Sequence, residues 1–255
     1  MCINIMSANV SIVIATYNSK KTLRRALDSV KNQSYQDWEC VIVDGASKDG
    51  TVEIIKEYKN KDFRFRYISE PDNGIYDAFN KGWKIANGEW ILYLGSDDEL
   101  MPNGLCNLIK EADGYDAVYG NIYLMKNGHK YKIQNSKQPD FYGTKAFCGH
   151  QALIMRRYVF HAVDGFDMNY SILADWDMLR RAGQKGYKFK HVDCIVSCFS
   201  TSGVSSGNLK ATIESYSIYR KTNGVCKSIL TLLWRLLRKS LLIIKWKLCG
   251  YLKQF

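Results

Sequence analysis

Over its first hundred residues the chain changes hydrophobic period about every ten positions, and this alternation restricts the fold more than any other feature. "VSIVIAT" (Val10 to Thr16) is a continuous run rich in β-branched residues, the pattern of a strand buried on both faces. Asn18 and Ser19 are suited to helix capping, and Leu23, Ala26, Leu27 and Val30 then recur at helical spacing. "WECVIVDG" returns to strand, and Val52, Ile54, Ile55 and Tyr58 mark a second helix. "FRFRYIS" alternates as a strand, and "IYDAFNKGWKIA" reads as a helix with Ile75, Ala78, Phe79, Gly82 and Ile85 or Ala86 inward. "EWILYLG" is a fourth strand. Strands alternating with short helices build βαβ units and a mainly parallel α/β sheet. Right-handed crossovers place all the strand C-termini on one edge, where open α/β sheets bind ligands. Thr16, Tyr17 and Asn18, Asp44, and Asp97 each follow such a strand, so three separate segments are expected in one crevice.

The second half is less regular. "DAVYGNIYLM" and "KYKI" read as antiparallel strands around "KNGH". "GHQALIMRR" reads as a strand, "LADWDMLRRAG" as a short helix and "YKFKHVDCIVSCF" as a long strand. "STSGVSSGN" is a Ser/Gly loop, and Leu209 to Arg220 reads as helix.

The chain of 255 residues carries 36 Lys and Arg against 25 Asp and Glu, a net charge of +11. From Val225 to Phe255 there are seven basic residues and no acidic one, so most of the excess sits in that tail. At helical spacing its cations except Lys247 face one side and most of its leucines and isoleucines the other, which predicts a basic amphipathic helix lying on an anionic membrane surface; the alternative is a helix packed on the protein's own core or at a dimer contact. The expected organisation is a catalytic domain over 1–224 and this membrane-associating helix over 225–255. No run is long and apolar enough for a conventional transmembrane helix, and "MCINIMSANV" does not read as a signal peptide. Eight scattered cysteines without a CxxC pair fit reduced thiols. The expected location is cytoplasmic, peripheral on the inner face of the cell membrane.

Three carboxylates carry the chemistry. In "ILYLGSDDEL" the adjacent Asp97 and Asp98 close a buried strand, where each raises the other's pKa unless a cation or strong donors compensate. A hard divalent ion, Mg²⁺ or Mn²⁺, takes one or two such carboxylates and fills its shell with substrate phosphate oxygens; the alternative is a solvated turn. Asp44 in "VIVDGASKDGT" follows a buried strand, with Ser47 and Asp49 better placed for capping. Asp175 in "LADWD" opens a helix, with Asp177 directed to another side. His150 precedes a strand in "FCGHQALIM", where it either touches acceptor or phosphate or serves as a structural donor.

"VSIVIATYNSKKTLRRALDSVKNQSYQDWECVIVDGASKDGT" together with "EPDNGIYDAFNKGWKIANGEWILYLGSDD" resembles the inverting family-two glycosyltransferases of the GT-A fold, in particular bacterial enzymes that build surface polysaccharides. The resemblance covers roughly residues 9–205. It implies a Rossmann-like sheet flanked by helices, and a nucleotide-sugar donor, UDP-linked, whose sugar passes to a saccharide acceptor that is lipid-linked. It places Thr16, Tyr17, Asn18, Asp44 and Asp97 in the nucleotide pocket, Asp97 at the metal with Asp98 as a second candidate ligand, and Asp175 as general base. "TSGVSS", with Ser205, resembles the family's loop that closes over substrate. This chain departs in three places: Gly95 replaces the first acid of the metal motif, Ala174 replaces an acid before Asp175, and Phe79 stands where relatives place an arginine.

Two rivals predict different residues. A sugar nucleotidyltransferase needs a glycine-rich phosphate loop after the first strand, and "ATYNSKKTL" has none. A nucleic-acid-binding protein interleaves cations with exposed aromatics over its body, whereas the excess here lies in the tail; no nucleic-acid partner is expected.

Overall fold

The computed structural model describes residues 9–126, 128–143, 145–201, 209–224, 226, 229 and 230. Strands β1 (Val10–Thr16), β2 (Trp38–Asp44), β3 (Phe65–Ser69) and β4 (Trp90–Gly95) run parallel in the order β3-β2-β1-β4. They alternate with α1 (Leu23–Lys31), α2 (Thr51–Lys61) and α3 (Ile75–Ile85). Every residue of β1 and β2 is buried, which is why their sequences are uniformly apolar rather than alternating.

The sheet then reverses. β8 (Leu153–Arg156) pairs antiparallel to β4, and β6 (Ala117–Lys126) pairs antiparallel to β8. β9 (Phe189–Ser200) lies parallel to β6, and the two-residue β5 (Glu99–Leu100) closes the far edge against β9. β7 (His129–Gln134) pairs with the second half of β6 as the expected hairpin.

Period-two alternation along β1, β2 and β4 supplies both faces. Ile12, Ile14, Cys40, Ile42, Leu92 and Leu94 meet Leu23, Leu27 and Val30 of α1, Ile54 and Ile55 of α2, and Leu105 and Leu108 of α4 (Gly104–Ile109). Each such side chain contributes roughly 1.5–3 kcal/mol when fully buried. On the other face α3 lies so close that a Cβ on Gly82 would sit 2.2 Å from Val13 Cγ1. There Phe79, Tyr93, Phe160 and Phe166 form an aromatic cluster, with ring centroids 4.5–6.3 Å apart.

Several local expectations need correction. Ile75, expected inward, is exposed; Tyr76 and Trp83 are buried instead, because the aromatic cluster rotates the face that α3 presents. "GHQALIMRR" is not one strand: His150–Ala152 is a single 3₁₀ turn, β8 holds four residues, and Arg157 opens α5 (Arg157–Val163).

One polar group sits inside the apolar end of the sheet. Ser11 and Glu39 are register partners on β1 and β2, and Ser11 Oγ donates to Glu39 Oε1 at 2.6 Å. The Asn87 backbone N–H donates to Glu39 Oε1, and Asn87 Nδ2 and Arg66 Nη1 donate to Glu39 Oε2. Burial alone would raise the Glu39 pKa, but these donors outweigh it and hold it below 4.5.

The described residues divide into two units. Tyr142, Gly143 and α7 (Leu209–Asn223) form the second, where Asn223 Nδ2 donates to the Tyr142 carbonyl. Apart from residues 226, 229 and 230, the helix expected over 225–255 lies outside the described residues, as does Ser205. Among the described residues no helix is long and apolar enough to cross a membrane.

Candidate active site

Register brings the predicted segments together. Thr16 pairs with Asp44, Asp44 with Ser69, and Ala15 with Gly95, so the four parallel strands end level at one edge. The turn after β1 is fastened to its neighbours. Asn18, with a left-handed φ of 48°, donates its backbone N–H to Ser47 Oγ, and its Oδ1 accepts from the Lys48 N–H. Ser19 N donates to Thr51 Oγ1, and Ser19 Oγ lies 2.8 Å from Ser96 Oγ after β4. Tyr17 is exposed on this turn, and the Thr16 hydroxyl is buried with no hydrogen-bond partner among the described residues.

Asp44 is fully buried. The cap position of α2 is Gly50, with no side-chain cap; Asp49, one residue earlier, accepts from Thr51 N, and Ser47 is engaged elsewhere. Ser47 N donates to Asp44 Oδ2 at 3.0 Å and Ser47 Oγ to Oδ1, while Ser69 Oγ donates to Oδ2 at 2.7 Å. In this structure Asp44 therefore fixes Ser47, and through it the Asn18 backbone, instead of presenting an open carboxylate.

Asp97 and Asp98 differ sharply. Asp97 is partly exposed, and its carbonyl accepts from Arg25 Nη2 at 2.8 Å. Asp98 is only 2% exposed, and its Oδ1 accepts from the Ser200 N–H at 2.8 Å. Burial, with the Asp97 charge added, pushes the Asp98 carboxyl up to about 7 against the pull of Ser200 and His150. Gly95 has a reason to lack a side chain. A Cβ there would lie 2.8 Å from Asp98 Oδ2 and 3.1 Å from Asp97 Oδ1.

Asp175, at the start of α6 (Ala174–Gln184), is held by two N–H donors and by a hydroxyl whose single proton is shared with the Ile172 carbonyl, 2.7 Å away. Trp176 N donates to Oδ1 at 2.8 Å, the Tyr76 hydroxyl lies 3.2 Å from Oδ1, and His150 Nδ1 lies 3.0 Å from Oδ2. With the carboxylate ionised, the Nδ1–H is the donor. Burial works against the ionised form, yet His150 prevails and holds Asp175 below its ordinary 3.8. Burial likewise opposes the imidazolium, but Asp175 and then Asp98 raise His150 above 6.5. Asp177 turns away to Arg181, 2.7 Å from its Nε.

Among the described residues no three His, Cys, Asp or Glu side chains gather as a ready ion cage. What the site offers a cation is the all-oxygen pair Asp97 and Asp98. A hard divalent ion at this pair would favour the ionised form of both carboxylates.

Residues 11–164 match the family described as glycosyl transferase family 2. The chain belongs to that family. This family-two glycosyltransferase is 30% identical over 212 residues to a PGL/p-HBAD biosynthesis glycosyltransferase of Mycobacterium tuberculosis, covering 81% of this chain and 76% of that one. Its fold matches S. aureus TarS 1-349, solved in complex with UDP-GlcNAc, at a TM-score of 0.65 with 20% identity, over 84% of this chain and 65% of that one. It matches the mannosyltransferase PcManGT of Pyrobaculum calidifontis, solved with GDP-Man and Mn²⁺, at a TM-score of 0.65 with 16% identity, over 88% and 68%. Sequence places the family; these two likenesses establish the GT-A fold.

The departures noted in the sequence acquire physical surroundings in this glycosyltransferase. Phe79 is fully buried and meets the His150 ring edge-on at 5.7 Å, so the position expected for an arginine backs the imidazole. His150 supplies the support for Asp175 that no acid at position 174 gives. Sequence alone could not join them, since 25 residues separate His150 from Asp175 and 99 separate Tyr76 from it.

Proposed function

We propose that this enzyme transfers a sugar from a nucleoside-diphosphate sugar, UDP-linked, to a hydroxyl of a lipid-linked saccharide, with inversion, in the assembly of a cell-surface polysaccharide. The observation that carries the reading is the pairing of a turn and two carboxylates at one sheet edge with a separate, hydrogen-bonded Asp175–His150 pair. TarS solved with UDP-GlcNAc and PcManGT solved with GDP-Man support a nucleoside-diphosphate sugar as the donor class.

In this reading the Tyr17–Asn18 turn receives the nucleotide, with Thr16 Oγ1 as an unused polar atom beneath it and Asp44 holding the wall. Asp97 and Asp98 would hold Mg²⁺ or Mn²⁺, and that ion would supply charge stabilisation for a departing diphosphate. PcManGT with Mn²⁺ supports that choice of ion class. The acceptor oxygen attacks the anomeric carbon as the bond from that carbon to the phosphate oxygen breaks, and the nucleoside diphosphate leaves with the electron pair. Asp175 takes the hydroxyl proton during attack. His150 keeps Asp175 ionised and fixes which oxygen faces the acceptor, touching the substrates only through it. One displacement inverts the configuration without a protein nucleophile. The basic segment 225–255 holds the enzyme on an anionic membrane surface, where a lipid-linked acceptor resides.

A panel of nucleotide sugars with Mn²⁺ and an acceptor extract tests this. Asp97→Ala is expected to lose metal-dependent donor binding, and Asp175→Ala to keep donor binding but lose transfer. Wild-type turnover in Asp175→Ala would remove the proposed base.

A further inference from the structure

Helix α1 presents two different faces. Leu23, Ala26, Leu27 and Val30 enter the core, while Arg25, Ser29 and Gln33 follow at steps of four along one side of the helix and just past its end. All three bond to the single segment that carries the acidic pair. Arg25 Nη2 donates to the Asp97 carbonyl at 2.8 Å, and Arg25 Nε lies 2.7 Å from Glu99 Oε1. Ser29 Oγ accepts from the Leu100 N–H at 3.0 Å and donates to the carbonyl of Ala26, which fixes its orientation. Gln33 is buried; its Nε2 donates to the Met101 carbonyl at 2.8 Å and its Oε1 accepts from the Leu105 N–H at 3.2 Å. The adjacent Ser34 N–H donates to the Pro102 carbonyl.

These bonds fall where they matter. Residues 97–103 contain only the two-residue β5 as regular structure, so their backbone groups need partners outside any ladder. At the opposite end of the same helix, the Ser19 carbonyl accepts from Thr22 and Leu23 N–H, closing the turn that holds Tyr17 and Asn18. One rigid helix thus connects the turn after β1 to the loop after β4.

We propose that Arg25, Ser29 and Gln33 are positioning residues that set Asp97 and Asp98 at a fixed offset from the Tyr17–Asn18 turn, so that the metal and the nucleotide are captured together. The inference rests on the reading of Asp97 and Asp98 as the metal-holding pair. None of the three touches ligand in that reading; each acts through the backbone of the acidic loop. Residues that orient metal ligands from behind typically change metal affinity about 10- to 100-fold when removed.

The test is calorimetric titration of Mn²⁺ into the full-length protein at saturating UDP, with UDP titrated alone and thermal melting recorded in parallel. Arg25→Ala and Ser29→Ala are expected to weaken Mn²⁺ binding about tenfold, with UDP binding in the absence of metal unchanged. Arg25→Lys, which keeps a donor for the Asp97 carbonyl, is expected to recover part of the loss. Arg64→Ala is the control. It breaks a guanidinium contact 3.8 Å above the Trp38 ring and an ion pair to Asp62 at the start of β3, and should lower the melting temperature while leaving Mn²⁺ affinity at the wild-type value. Arg25→Ala and Ser29→Ala melting early but binding Mn²⁺ like the wild type would overturn the proposal and leave the metal reading intact. A wild-type protein that binds UDP without any response to Mn²⁺ would overturn the metal reading, and the proposal with it.

Discussion

Replacing His150 isolates what holds the proposed base ready. In the wild type, His150 Nδ1 sits 3.0 Å from Asp175 Oδ2, and both side chains are less than one-fifth exposed. A hydrogen bond to a charged group contributes roughly 1.5–3 kcal/mol, and tenfold in rate corresponds to about 1.4 kcal/mol. His150→Ala is therefore expected to lower kcat about 10- to 100-fold, with donor KM little changed because the nucleotide turn is untouched. His150→Asn, whose amide occupies the place of Nδ1, should restore part of the rate. The pH profile gives the sharper readout. In the wild type His150 is the largest influence against burial and keeps Asp175 below 3.8; without it only the Trp176 N–H and the Tyr76 hydroxyl oppose burial, the carboxyl pKa rises, and the acid limb of kcat moves to higher pH. Stability should follow the same pair. His150 is raised, so its contribution is full below 6.5 and is lost as pH climbs through its folded value. Asp175 is lowered, so its contribution is full above 3.8 and is lost as pH falls through its folded value. The melting-temperature gap between wild type and His150→Ala should thus be widest between 3.8 and 6.5. An acid limb at the same pH in both proteins, or a gap independent of pH, would refute the reasoning.

Two further outcomes follow from the acidic pair. Asp98→Asn keeps an oxygen for the Ser200 N–H but removes a buried charge; since the folded carboxyl titrates near 7, the metal-free variant should melt above the wild type at pH 8, by a few degrees, with no gain at pH 3, while its response to Mn²⁺ disappears. Gly95→Ala drives a methyl to 2.8 Å from Asp98 Oδ2, so donor binding in Mn²⁺ should weaken although the rest of the fold is undisturbed; a wild-type Mn²⁺ titration curve for this variant would show that the carboxylate positions do not matter.

The first half of this protein was legible in its sequence because its signals are local. β1, β2 and β4 are buried on both faces and announce themselves as unbroken apolar runs, and α1 buries the four residues its period predicts. The second half is governed by contacts between distant segments. α4 and α5, of six and seven residues, are too short for a helical period to stand out, and β5 exists only because β9 passes beside it. The same distinction runs through the site. Asp97, Asp98 and Asp175 stand where strand and helix ends could be read, whereas the hold of Ser47 on Asp44, of His150 and Tyr76 on Asp175, and of Arg25 on the Asp97 carbonyl arises from chain crossings that no spacing encodes.

The Ser11–Glu39 contact has a reach beyond its own neighbourhood. β1, β2 and β4 are apolar at almost every position, so sliding one past another by two residues would keep its side chains on the same faces and leave burial nearly unchanged. A carboxylate inside such a bundle limits that freedom: with β2 two residues out of phase against β1, Glu39 would lose the Ser11 hydroxyl, and a buried carboxylate short of a donor is costly. Phase chosen at Ser11 is transmitted by the stiff ladder over five residues, roughly 17 Å, to Thr16, Asp44 and Gly95. The alignment of the reactive edge is thus decided at the opposite end of the sheet, by a hydroxyl and an acid that never meet a substrate.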